Sequence, residues 1–306
     1  MNGTSQRSLR IFQFRGIEVF LHWSWFLVAA YEIGDRQRTY SSVVWNILEY
    51  LALFLIVTIH EFGHALACRQ VGGIANRIVL WPLGGTAYVN PPPRPGAMLW
   101  SIAAGPLVNV ALVPVFWALG HTMRSFGLEQ SAPDLYLLAH TVAIINFGLL
   151  FFNLLPVYPL DGGQILRSLL WYPLGRGRSL MAVTIIGFLG VAGLIVLAIK
   201  DQSAWLAILS LFILMRCWNG MQQARALLRL AKLPRQSGYS CPTCNSSPPL
   251  GEFWNCSNCR KAFDTFQTQA VCPHCSTHFS TTGCLDCGRA HPMNEWSGSP
   301  VAPPAL

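Results

Sequence analysis

Long apolar stretches separated by short polar intervals organise the chain from about residue 19 to residue 220. Six of them, at about 19–33, 43–67, 97–119, 135–155, 180–199 and 204–220, approach the ~20 residues a helix needs to cross the hydrocarbon of a bilayer. The first is short and carries His22. Its apolar part runs into Tyr31-Glu32-Ile33-Gly34 rather than a small-residue cleavage site, so it does not read as a removable signal. After the second stretch the pattern changes. Residues Ile78 to Val89 place β-branched and aromatic positions on either side of Pro82-Leu83-Gly84-Gly85, which predicts a β-hairpin-like, re-entrant element. Irregular backbone at membrane depth is tolerated only inside protein or along an aqueous cavity. Pro156 and Pro159 end the fourth stretch, and Gly162 and Gly163 are expected to let the chain leave the helix with positive φ.

Composition sharpens this reading. Of 306 residues 52% are hydrophobic and only 11% are charged, against about 25% charged in a soluble domain. The pattern therefore predicts a polytopic membrane protein with a small polar appendage. With the N-terminus in the cytoplasm, fourteen basic residues of the first 235 fall on the inside, including Arg69, Arg77, Arg94, Arg167, Arg176 and Arg178. Only Arg36, Arg38, Arg124 and Lys200 fall outside. That bias satisfies the positive-inside rule, so the net charge of +8 calls for no nucleic-acid partner. An even number of spans puts both termini in the cytoplasm, in a bacterial inner (cell) membrane.

Acidic residues are scarce enough to be placed singly. Between Val43 and Lys200 there are five: Glu49, Glu61, Glu129, Asp134 and Asp161. Glu49, flanked by Trp45 and Tyr50, belongs at the outer interface, and Glu129 and Asp134 fall in an outer loop. Glu61 and Asp161 remain, at the same inner face. Ionisable groups are costly in lipid, so such a pair marks a functional site. Glu61 sits in His60-Glu61-Phe62-Gly63-His64. On a helix this spacing puts both imidazoles on one face, able to share a Zn²⁺, with the Glu beside them as general base. A catalytic zinc takes three protein ligands and leaves a position open. His60, His64 and Asp161 supply that set.

Four stretches carry a resemblance to the site-2 protease family of intramembrane zinc metalloproteases: HEFGH at 60–64, NLLPVYPLDGG at 153–163, AGPLVN at 104–109 and WPLGGTA at 81–87. The opening Gly16–Trp25 is similar to the start of its sporulation-type bacterial branch. The resemblance covers roughly residues 10–220. It implies hydrolysis of a peptide bond in or beside a transmembrane segment of a protein substrate, with one catalytic Zn²⁺ on His60, His64 and Asp161. It also gives Asn153 a part in positioning substrate or stabilising an oxyanion. Asn109 is read as a helix-packing hydrogen bonder. Asn146 is left open. The hairpin is read either as an edge that pairs an unwound substrate or as plain packing. His22, His121 and His140 read as ordinary interfacial residues.

Eight of the ten cysteines lie beyond residue 240, as Cys241-x-x-Cys244, Cys256-x-x-Cys259, Cys272-x-x-Cys275 and Cys284-x-x-Cys287. In a reducing compartment four such knuckles predict two structural zinc sites of zinc-ribbon type rather than disulfides. Pairing in sequence order is the simplest arrangement, and an interleaved one stays open. The expected organisation is a membrane domain at 1–233, a linker at 234–240, a double zinc ribbon at 241–297 and a disordered tail at 298–306. The fold class is thus all-α polytopic membrane protein, with a re-entrant hairpin and a small zinc-binding domain able to engage a protein partner. A non-proteolytic zinc-binding scaffold acting through the ribbons is the competing function. The intact Glu61 weighs against it, because a purely structural site needs no base. A zinc transporter ranks last, since the acidic residues form one cluster rather than a path.

Overall fold

The structure, a computed structural model, describes residues 8–27, 29, 39–81 and 84–296. The chain divides into two units between Met221 and Gln222.

The first unit combines a small sheet with long apolar helices. Strands β1 (Ser8–Phe14) and β2 (Ile17–His22) form a hairpin that turns at Arg15 and Gly16, both at positive φ. Helix α1 (Val43–Gln70) follows, its first turn capped by the Ser42 hydroxyl, which accepts from the Val44 N–H. It ends at Gly72, whose φ of +81° lets the chain reverse into β3 (Ile74–Trp81), paired antiparallel with β4 (Gly84–Asn90). The strand order is β1-β2-β3-β4, with β2 and β3 parallel. Parallel neighbours need a long crossover, and α1 lies within it. Ile17, Val19, Ala75, Ile78 and Leu80 bury one face of the sheet against Val57, Ala65 and Cys68 of α1. Arg69 at the end of α1 ties the corner together by donating to the carbonyls of Ala75 and Gly16.

Helix α2 (Pro95–Ser125) opens on a proline at its first turn, where a missing N–H costs nothing. The short α3 (Leu128–Ser131) leads to α4 (Pro133–Leu154). Then come α5 (Asp161–Lys200), sharply bent at Gly175 (φ 76°, ψ 173°) two residues after Pro173, and α6 (Ala204–Ala231). Among the described residues five helices, α1, α2, α4, α5 and α6, are long and apolar enough to cross a membrane. Much of their apolar surface faces outward: Trp117 is 70% exposed and Ile199 73%. A water-soluble surface would not carry so much, so lipid is its natural cover and the chain is an integral membrane protein.

Two expectations change here. The first predicted span, 19–33, begins as strand: Ile17–His22 alternates buried and half-buried positions and hydrogen-bonds to β1 and β3. Residues 24–27 turn helical, and residues 28 and 30–33 lie outside the described residues. A hydropathy window counts apolar residues and does not separate a buried strand from the start of a span. The described residues before and after this stretch lie near opposite ends of α1. Strand β2 lies beside β3, which follows the C-terminus of α1, whereas Tyr40 donates to Glu49 near its N-terminus. The protein is also not all-α beyond the expected hairpin, because β1 and β2 join β3 and β4 in a four-stranded sheet.

The second unit is small. Hairpins β5 (Trp254–Asn255) with β6 (Ala262–Phe263) and β7 (Thr282–Gly283) with β8 (Ala290–His291) precede a one-turn helix α7 (Met293–Trp296). Residues 234–240 are not a free connector. Arg235 donates to Asp286 at 2.6 Å, Gln236 donates to Asp264, Tyr239 packs on Phe266, and the Ser240 N–H donates to the Trp296 carbonyl. The tail from Gly298 lies outside the described residues.

Candidate active site

Helix α1 presents His60 and His64 one turn apart, both buried, with their Nε2 atoms 3.1 Å from each other. Asp161 reaches them from the first residue of α5. Its Oδ2 lies 3.1 Å from His60 Nε2 and 3.3 Å from His64 Nε2. Local sequence explains this placement. Helix α4 stops at Leu154 because Pro156 and Pro159 offer no N–H, and a six-residue turn then brings α5 back. Gly162 and Gly163 act differently from the expectation. Both lie in the first turn of α5 and neither is among the positive-φ glycines. Their role is close approach. A methyl at Gly162 would strike the Leu154 carbonyl, and one at Gly163 the backbone of Val157 and Tyr158.

Helix α2 supplies the next layer. Gly105 lies against both imidazoles, where a methyl would collide with the Nε2 edge of His64 and sit 2.8 Å from His60 Nε2. The small-residue stretch thus brings backbone to the ligand rings themselves, beyond its expected role in helix packing. His60 Nδ1 donates to Asn109 Oδ1 at 2.6 Å, and His64 Nδ1 donates to the Ser101 carbonyl at 2.9 Å. With both Nδ1 atoms donating, the neutral form of each ring carries its lone pair on Nε2. Two imidazole nitrogens and a carboxylate oxygen therefore converge as a donor set suited to a metal cation. Four ligands at the ~2.0–2.1 Å usual for zinc sit about 3.3 Å apart in a tetrahedron. The observed 3.1–3.3 Å edges fit that group.

Glu61 stands next to this trio and outside it. Its Oε2 accepts from the Ala87 N–H of β4 at 2.8 Å, and the backbone of Gly85 lies on its carboxyl group. Strand β4 thus holds the carboxylate by one oxygen. Asn153 is half-buried on α4, and none of the site's hydrogen bonds among the described residues includes it. His22 stacks on Trp81, and His121 meets Trp117 edge-on; neither is in the trio.

The eight thiols of the second unit gather in two groups. Cys241, Cys244, Cys284 and Cys287 form one, and Cys256, Cys259, Cys272 and Cys275 the other. This nested arrangement replaces the sequence-order pairing. The Ser240–Trp296 hydrogen bond closes the unit end to end, so the first knuckle meets the last. Tyr239, Phe266 and Trp296 then pack on Cys241 and Cys284, whereas Phe263 and Phe279 pack on Cys256 and Cys272. Cross-knuckle sulfur separations of 3.5–3.7 Å match the roughly 3.8 Å edge of a tetrahedron at a Zn–S length of ~2.3 Å. A hydrogen bond from Cys284 draws the Cys244 thiol down to about 5 and raises Cys284 in turn, while the Thr277 hydroxyl draws Cys275 down to about 6, so the thiols of each cluster share their protons unevenly.

The model of Peptidase family M50 matches residues 49–134 and 129–197, a span that holds His60, Glu61, His64 and Asp161. The chain belongs to peptidase family M50. A zinc metalloprotease of Methanocaldococcus jannaschii is 30% identical over 67% of this chain and 58% of its own length. Stage IV sporulation protein FB of Bacillus subtilis is 36% identical over 38% of each chain. Among solved structures, the site-2 protease from Methanocaldococcus jannaschii superposes with a TM-score of 0.52 at 26% identity, over 70% of this chain and 95% of that one. The chain spans about three-fifths or less of the length of the first curated relatives it matches, at 58%, 61% and 42%.

Proposed function

We propose that this M50 member is an intramembrane zinc metallopeptidase that hydrolyses a peptide bond within or next to a transmembrane segment of another protein. The observation that carries the reading is the separation of roles at the site: three lone-pair donors converge on one point, while Glu61 stands beside them on a different tether. A structural metal site would have no use for that fourth group.

When bound, zinc supplies Lewis acidity toward a carbonyl oxygen and toward water. His60, His64 and Asp161 would hold it. Glu61, anchored through one oxygen to Ala87, keeps its other oxygen to take a proton from the attacking water and return it to the leaving amine. Among the described residues strand β4 is an edge of the sheet, paired with β3 alone. Its outer edge, apart from the Ala87 N–H that Glu61 takes, suits an unwound substrate segment that adds as a strand, so Gly84–Asn90 would act as a re-entrant guide. Asn153 is proposed to help position that segment. Both termini are proposed to face the cytoplasm of a bacterial cell, following the basic-residue bias. The cysteine clusters are proposed to hold two structural zinc ions in a double zinc ribbon that engages a protein partner.

The test compares membrane-protein fragments in native cells expressing wild-type protein or Glu61→Gln. A fragment cut near a span and present only with wild type supports the reading. Identical patterns with stable full-length protein in both strains favour a zinc-binding scaffold instead.

A further inference from the structure

The two histidines are oriented by different means. His64 Nδ1 donates to a backbone carbonyl, Ser101 O, an acceptor fixed by α2 itself. His60 Nδ1 donates to the side-chain amide of Asn109, whose two ends have nearly the same shape and opposite hydrogen-bonding character. Something must decide which end faces His60.

We propose that Asn146 makes that decision, and that Asn109 and Asn146 form a one-way hydrogen-bond relay that keeps the His60 Nε2 lone pair directed at the metal position. The proposal rests on the reading of His60 as a metal ligand. The relay starts at the backbone carbonyl of Asn109, which only accepts. Asn146 must therefore present its Nδ2 there, and the distance is 3.1 Å. Its Oδ1 then accepts from Asn109 Nδ2 at 2.8 Å. That bond turns Asn109 Oδ1 toward His60, whose Nδ1 must carry the proton. Flipping either amide would set two N–H groups or two lone pairs against each other. Asn109, Asn146 and His60 are 0%, 1% and 3% exposed, so solvent offers neither amide an alternative partner. Sequence reading left Asn146 open because its partner lies 37 residues away on another helix. In this assignment Asn146 touches no reacting atom. It is a positioning residue, acting through Asn109 on the tautomer of a ligand.

Two substitutions separate this from ordinary packing. Asn146→Leu keeps the branched shape of the side chain and frees the Asn109 amide to flip, which presents an N–H to His60 and moves the imidazole proton to Nε2. Asn109→Asp gives His60 an acceptor with no wrong end, so in the Asn146→Leu background its orientation no longer depends on position 146. The readout is the rate at which purified full-length protein gives up the membrane-site zinc to a chelator, per folded molecule. Ribbon zinc is subtracted with Asp161→Ala as reference. We expect Asn146→Leu and Asn109→Leu to lose that zinc roughly 10–100-fold faster than wild type. Asn109→Asp alone sets a carboxylate oxygen against Asn146 Oδ1 and should fall between wild type and Asn109→Leu. Adding it to the Asn146→Leu background, where that clash is gone, should recover most of the loss. Wild-type retention in Asn146→Leu, even at lowered thermal stability, would overturn the relay. So would a double variant as leaky as Asn146→Leu. If Asn146→Leu fails to fold, equal zinc loss in Asn109→Asp and Asn109→Leu overturns it. Unchanged zinc content in Asp161→Ala would instead sink the ligand assignment on which the proposal stands.

Discussion

The chain builds metal-binding geometry twice, by opposite means. In the membrane unit the donors come from two helices, with His60 and Asp161 separated by 101 residues, and α2 orients both rings from behind. In the second unit every donor sits in a four-residue knuckle, and each knuckle turns on its own backbone, as in the Asn245 N–H to Cys241 carbonyl bond. The first group offers mixed nitrogen and oxygen, three donors and a carboxylate standing by. The second offers four sulfurs and closes the sphere. Four ligands saturate zinc, whereas three leave it a position for chemistry. On the proposed function, the contrast places work in one unit and stability in the other. It also predicts that the two sites respond to damage differently.

The largest expected effect is on folding, in the second unit. So small a core relies on its metals, and structural zinc of this kind contributes on the order of 10 kcal/mol. Stripping zinc from the full chain should make the region beyond residue 240 protease-sensitive and expose Trp296, now fully buried. The helices of the membrane unit should stay protected, since lipid-facing packing rather than metal holds them. Fluorescence and limited proteolysis before and after chelation read both halves. A second unit that stays protected without metal would remove half of the comparison.

Next comes chemistry at the first site. Glu61→Gln keeps the size of the side chain and its hydrogen bond from Ala87, and removes the base. Zinc content should be unchanged while turnover falls about 10²–10⁴-fold, the usual contribution of a positioned general base. Zinc and activity lost together would make Glu61 a ligand or a fold element.

How much of this could be read from the chain itself follows from how local each feature is. The HExxH spacing and the scarcity of acidic residues in apolar stretches pointed to His60, Glu61, His64 and Asp161, because a charge in lipid needs a reason wherever it sits. The long spans were legible for the same reason. Strand β2 was not, because what makes Ile17–His22 a strand is its pairing with Arg77–Leu80, far along the chain. The cysteine clusters show the same limit. Four evenly spaced knuckles carry no signal for their partners, and the nested arrangement follows from a closure between Ser240 and Trp296. Gly162 and Gly163 were noticed for their conformational freedom, whereas the fold uses their lack of a side chain.

A smaller effect should follow from Gly85→Ala. The added methyl would press on the Glu61 carboxyl group, the flexible end of its side chain, so the strand need not move. The expected outcome is full zinc occupancy with turnover lowered about tenfold, because a small misplacement of a catalytic group is costly even when the fold tolerates it. Lost zinc would mean that β4 supports the ligands as well as the base.

The smallest effect is expected at Asn153. Resemblance alone links it to the reaction, and it makes none of the hydrogen bonds that tie Asn109, Ser101 or Ala87 to the site. A half-buried amide with no such tie is not preorganised toward an oxyanion, and preorganisation is what gives an oxyanion donor its usual 10²–10³-fold effect. A role in holding the substrate strand costs less. Asn153→Ala should therefore raise KM more than it lowers kcat, with kcat/KM down by less than about tenfold and zinc retained. A fall of a hundredfold or more in kcat would show that substrate binding brings the amide to the scissile carbonyl, making the site's preorganisation incomplete until the edge of β4 is filled.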